Sequence, residues 1–94
     1  MNDVAAQPAP RPALRDRLLI LIGQILDKAD IAGALPVEGR LSELGMSSIK
    51  MVNLMLAVEA EFDLSIPQHE ITPENFRSVI SIEALLERLI ALKT

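Results

Sequence analysis

The sequence predicts an all-α fold: a bundle of three main helices plus one short helix, with a long loop between helices 1 and 2. Three observations lead there. Half of the residues are hydrophobic but only two, Phe62 and Phe76, are aromatic, so the core must be built mostly from Leu, Ile, Val and Met. That palette fills helix interfaces more readily than sheet interiors. Apolar residues recur at three- and four-residue spacing over several stretches, and no stretch of useful length alternates as a strand does.

Residues 1–12 (MNDVAAQPAPRP) are rich in Ala and Pro, lack periodicity and read as a flexible N-terminal tail, which leaves 13–94 for the folded domain. The first helix is expected over about Ala13 to Ala29, with Leu14, Leu18, Leu21, Ile22 and Ile25 on its apolar stripe. Pro12 sits where a helix start tolerates it. Asp30 to Ser47 contains Gly33, Pro36, Gly39 and Gly45 and reads as a long connection. Val37, Leu41 and Leu44 should pin part of it to the core. The second helix is expected over about Ser48 to Phe62. Thr72-Pro73-Glu74-Asn75-Phe76 reads as one short helical turn, capped by Thr72 with Pro73 in first position. The last helix covers about Val79 to Leu92, its stripe formed by Ile82, Leu85, Leu86 and Leu89 and its cap by Ser78 or Ser81.

Length and charge exclude several function classes. A chain of 94 residues makes one small domain, in which an internal catalytic cavity would be unusual. With no cysteine, disulfides and thiolate metal sites are excluded and any thiol chemistry has to come from a cofactor. The same absence leans toward the reducing cytoplasm. The formal charge of −4 argues against nucleic-acid binding and suits a partner with a basic docking patch. The N-terminus lacks the features of a signal peptide, and the longest apolar run, Leu18 to Ile22, is too short to span a bilayer. His69, the single histidine, has no second ligand at metal spacing and reads as a surface loop residue. No nucleophile–base pair and no phosphate-cradling glycine motif is visible.

The second helix carries two apolar stripes. Met51, Leu54, Met55, Val58 and Phe62 gather on the face expected to meet the core, while Ile49, Val52 and Leu56 gather on another. Either both are buried in a deep central helix, or the second stripe is a ridge for docking partners. Ser48 lies at the N-terminal end between them. A helix start has unpaired N–H groups and a positive dipole end, which suit a phosphate ester. A serine there is equally suited to be an ordinary N-cap.

The surrounding residues add context. The run Leu41-Ser42-Glu43-Leu44-Gly45-Met46-Ser47-Ser48-Ile49, continuing to Val52 and then Val58-Glu59-Ala60-Glu61-Phe62-Asp63-Leu64-Ser65-Ile66-Pro67, closely resembles the acyl carrier protein family. Ile71-Thr72-Pro73-Glu74-Asn75-Phe76-Arg77-Ser78-Val79 is similar to the same family's third-helix region, so the likeness spans about Leu14 to Leu92. The resemblance implies an acyl-carrier-like bundle that is not an enzyme. It places on Ser48 a 4′-phosphopantetheine arm, transferred from coenzyme A by a separate phosphopantetheinyl transferase. Cargo would ride on the arm as a thioester between loading ligases and acyl-processing enzymes. Docking is expected on Ile49, Val52, Leu56 and Glu59, in a cytoplasmic monomer.

Four departures narrow the expectation. Ser47 stands where the family usually has Asp, which creates a choice between two serines; Ile49 and the spacing to Gly45 favour Ser48. Lys50 and Asn53 occupy positions that are commonly acidic in carriers of fatty acid synthesis, and Ala60 replaces another acid, although Glu59, Glu61 and Asp63 remain. Such a face should select different partners. The expected function is therefore a specialised acyl carrier of lipid or secondary metabolism. The run Val52-Asn53-Leu54-Met55-Leu56-Ala57-Val58-Glu59 is also similar to bacterial aminoacyl carrier proteins, loaded by stand-alone synthetase-like ligases, which is the alternative. An unmodified interaction module with the carrier fold is a further one.

Overall fold

The computed structural model describes residues 14–93; the tail expected over 1–12 lies outside the described residues. Three α-helices make the frame: α1 (Leu14–Ile25), α2 (Ser48–Phe62) and α3 (Val79–Lys93). Short 3-10 turns occupy Ala29–Ala34, Leu41–Leu44 and Gln68–Glu70. Among the described residues there is no strand, and no helix is long and apolar enough to cross a membrane.

The predicted stripes meet in one core. Leu18 and Ile22 of α1, Leu54 and Val58 of α2, and Ile82, Leu85 and Leu86 of α3 are fully buried. Each such side chain stabilises the fold by about 1.5–3 kcal/mol relative to full exposure. Phe62 and Phe76 are the cluster's two aromatic members. Two arginines on the first turn of α1 tie it to both neighbours. Arg15 forms an ion pair with Glu83 of α3 at 2.8 Å. Arg17 bonds the Glu61 carboxylate and carbonyl, each at 2.9 Å, with its guanidinium 4.5 Å from the centre of the Phe62 ring.

α1 stops earlier than its apolar pattern suggests. Asp27 adopts a left-handed conformation (φ 59°), and Lys28 N–H donates to the Gly23 carbonyl at 2.7 Å while Asp27 N–H donates to Gln24 at 3.2 Å. These two bonds make a Schellman cap, which satisfies the last carbonyls and turns the chain. The 29–34 turn then folds back on α1. A Cβ on Gly23 would stand 2.8 Å from the Ala32 Cβ, so glycine permits this close approach.

The connection to α2 is held rather than loose. Leu35, Leu41 and Met46 are buried, and Val37 and Leu44 are half-buried against the core. Leu41 N–H donates to the Arg77 carbonyl at 2.9 Å, and Ile80 N–H to the Val37 carbonyl at 3.0 Å. The expected short helix near Thr72 is one capped turn: Asn75 N–H reaches the Thr72 hydroxyl at 3.2 Å and Phe76 N–H its carbonyl at 3.3 Å. Asn75 and Arg88 both bond the Glu70 carboxylate, which fastens this segment to α3. Ser78, not Ser81, caps α3, accepting from Ser81 N–H at 3.2 Å.

Candidate functional site

The start of α2 is built by three consecutive backbone decisions. Gly45 takes a left-handed conformation (φ 101°) that ends the 41–44 turn, with Met46 N–H returning to the Leu41 carbonyl at 3.0 Å. Any side chain at that φ is strained even though the space around it is open. Met46 buries its side chain and anchors the approach. Ser47 is then extended (φ −94°, ψ 172°), and its hydroxyl accepts from Lys50 N–H at 3.2 Å.

Ser47 is therefore the N-cap, and Ser48 is the first residue of the helix proper. Ser48 is exposed, and its hydroxyl has no hydrogen-bond partner among the described residues. The ordinary N-cap role, open for Ser48 on sequence grounds, is filled by its neighbour. No acidic residue stands in the first turn of α2, so the helix dipole there is not offset by a carboxylate. An exposed hydroxyl beside a dipole-positive helix end fits attachment of an anionic phosphodiester.

The two apolar stripes of α2 face different media. Leu54 and Val58 are 0% exposed, whereas Ile49, Val52 and Leu56 are 75%, 54% and 60% exposed. The second stripe is a surface ridge that starts one residue after Ser48. Glu59 does not stand free beside it: half-buried, it accepts from Ile66 N–H at 2.7 Å and ties the end of α2 to the next segment. Glu61 is paired with Arg17 at 2.8 Å, and Lys93 bonds the Asp63 carbonyl and lies 3.8 Å from its carboxylate. Glu59 and Glu61 are thus engaged within the chain, while the Asp63 carboxylate is exposed.

On the other flank of α2 an open groove of about 610 Å³ runs between the helix and the Ile71–Arg77 segment. Met46, Met51, Met55, Ile71 and Phe76 provide its apolar wall, and Arg40, Arg77 and Glu74 its charged margin. Met51 and Met55 belong to the stripe expected to meet the core, and both are half-buried here. The sequence did not suggest Arg40 and Arg77, which are distant in the chain and are brought together by the Leu41–Arg77 backbone bond.

Nothing in this arrangement activates a nucleophile. His69 lies exposed on the 68–70 turn, 3.9 Å from Glu70, and no group of acidic or histidine side chains among the described residues could hold a metal.

The family described as phosphopantetheine attachment site matches residues 16–88. The chain belongs to that family. Its cofactor is 4′-phosphopantetheine, and its members carry cargo without catalysing a reaction themselves. Aminoacyl carrier proteins 1 and 2 of Bradyrhizobium diazoefficiens are 47% and 48% identical to this carrier over 73 residues, covering 78% of this chain and 81% and 82% of theirs. A carrier in the crystal structure of Bradyrhizobium japonicum glycine:[carrier protein] ligase complexed with glycylated carrier protein is 46% identical. It is matched over 78% of this chain and 99% of its own, with a TM-score of 0.64. The holo acyl carrier protein of Nitrosomonas europaea, solved by NMR, superposes with a TM-score of 0.74 over 82% of this chain and 95% of its own at 22% identity, a likeness of fold.

Proposed function

We propose that this chain is an aminoacyl carrier, with its carrier domain over residues 13–94 and Ser48 as the point of phosphopantetheine attachment. The observation that supports it most is the near-50% likeness to aminoacyl carriers over most of their length. That likeness favours the aminoacyl alternative over a carrier of lipid or secondary metabolism. The family's cofactor supplies a thiol that this cysteine-free chain lacks. The chain's own part is to hold the attachment hydroxyl in the open, keep it clear of carboxylates, and present Ile49, Val52 and Leu56 to the enzymes that visit it. A stand-alone amino-acid ligase of the kind complexed with the similar Bradyrhizobium carrier is the loading partner, and a phosphopantetheinyl transferase the partner that installs the arm.

Two incubations test this. With coenzyme A, Mg²⁺ and a broad-specificity transferase, intact-mass measurement should show one added phosphopantetheine, which peptide mapping assigns to Ser48. With ATP, glycine and a glycine:carrier protein ligase, the product should then gain one glycyl group that neutral hydroxylamine removes. An arm that persists in Ser48→Ala and vanishes in Ser47→Ala overturns the attachment site. Loading by an acyl ligase with fatty acids, and by no amino-acid ligase, would return the carrier to the acyl class.

A further inference from the structure

We infer that the enzyme which loads this carrier meets α2 with an apolar hollow rimmed by carboxylates, not with a basic patch. This rests on the aminoacyl-carrier reading and goes beyond it, because the overall charge of −4 would suggest the opposite complement. The distribution of the charges decides the matter. Between Ser48 and Val58, α2 carries a single charged side chain, Lys50. Of the acids that follow, Glu59 accepts from Ile66 N–H and Glu61 pairs with Arg17, while the exposed Asp63 carboxylate stands past the far end of the helix, 3.8 Å from Lys93.

The cations at the other end are not engaged. Arg40, Lys50 and Arg77 have no carboxylate within ion-pair distance among the described residues, in contrast to Arg15, Arg17, Arg88 and Lys93. Glu43 and Glu74 lie in the same neighbourhood and offset part of this charge, leaving the Ser48 end of α2 net positive. The helix dipole adds to that sign.

Lys50 is also placed against local preference. With Ser47 as N-cap, residue 50 is the third helical position, where Glu or Gln would reach back to the cap and complete a capping box. A cation there forgoes that bond and faces the positive end of the dipole. Local rules are broken chiefly at functional sites, and Lys50 breaks this one with no ion-pair partner among the described residues.

The same position makes the test clean, since Lys50→Glu should raise the melting temperature slightly rather than unfold the helix. The probe is the glycine:carrier protein ligase, with kcat/KM for glycylation of the arm-bearing protein measured at about 25 mM and about 300 mM NaCl, where screening differs strongly. Lys50→Glu and the pair Arg40→Glu/Arg77→Glu should each lower kcat/KM about three- to tenfold at low salt, with the loss shrinking at high salt. Glu87→Lys on α3 should change nothing. Unchanged or faster loading of a folded Lys50→Glu protein overturns the inference and leaves the aminoacyl reading intact. A wild-type protein that takes the arm but is not glycylated overturns that reading and the inference with it.

Discussion

The backbone N–H of Lys50 donates to the hydroxyl of Ser47 at 3.2 Å, which makes Ser47 the cap of α2 and leaves the Ser48 hydroxyl without a partner among the described residues. Ser47→Ala should destabilise the protein by about 1 kcal/mol, the usual cost of losing an N-cap. Ser48→Ala, at the first helical position, should leave stability within about 0.5 kcal/mol, since alanine is favoured in helices. Urea denaturation reads both values. In the presence of a transferase the order reverses, with Ser47→Ala still taking the arm and Ser48→Ala refusing it.

The ridge and the core stripe of α2 should respond oppositely to the same substitution. Val52→Asp and Leu56→Asp put a charge where more than half of the side chain already meets water. Circular dichroism should show an intact bundle, while loading by a ligase falls by tenfold or so, the scale of one buried apolar contact. Leu54→Asp places the charge in a fully buried site and should prevent stable folding. Loss of helicity in the ridge variants would show that the stripe supports the fold instead.

Arg17 joins α1 to the end of α2 through an ion pair and an aromatic face at once. The pair is solvent-exposed and is worth little by itself, but the stacked guanidinium adds to it. Arg17→Ala should cost about 1 kcal/mol, with Arg17→Lys recovering less than half because a lysine cannot stack and fork together. Thermal melts in low and high salt should show that most of the loss survives screening.

Gly23→Ala tests the fold-back of the 29–34 turn onto α1. The added methyl would lie 2.8 Å from the Ala32 Cβ and 3.2 Å from the Lys28 carbonyl. Crowding should outweigh the helix-propensity gain of alanine and cost about 1–2 kcal/mol. Adding Ala32→Gly should recover part of that in a double-mutant cycle, and no coupling between the two would mean the turn simply moves away.

The bounds of α2 and the start of α3 were legible because strong apolar periodicity follows a serine in each, and in α2 it is closed by Asp63, Ser65 and Pro67. The end of α1 was not, because Asp27 does the work usually done by glycine, and the apolar residues beyond it still pack, though as a 3-10 turn. Periodicity shows that α2 has two apolar faces and which should meet the core, but not whether the second is covered as well, since that depends on how the rest of the chain packs around it. The bond of Glu59 to Ile66 was not legible, because a carboxylate in a sequence gives no sign of the N–H it will find. Ile49 and the spacing to Gly45 favoured Ser48 over Ser47 for the arm, but which of the two caps the helix was not legible, because that depends on a single hydrogen bond from Lys50 N–H to the Ser47 hydroxyl.

The exposed ridge also sets how long a visit lasts. Three aliphatic side chains, each worth about 1.5–3 kcal/mol on full burial and already partly covered, scarcely offset the several kcal/mol that any association costs. An enzyme gripping Ile49, Val52 and Leu56 alone would therefore let go quickly, and longer residence has to come from whatever the arm inserts into that enzyme's site. Once the arm is withdrawn the surface cannot detain the carrier, which suits a shuttle whose throughput depends on leaving as readily as on arriving.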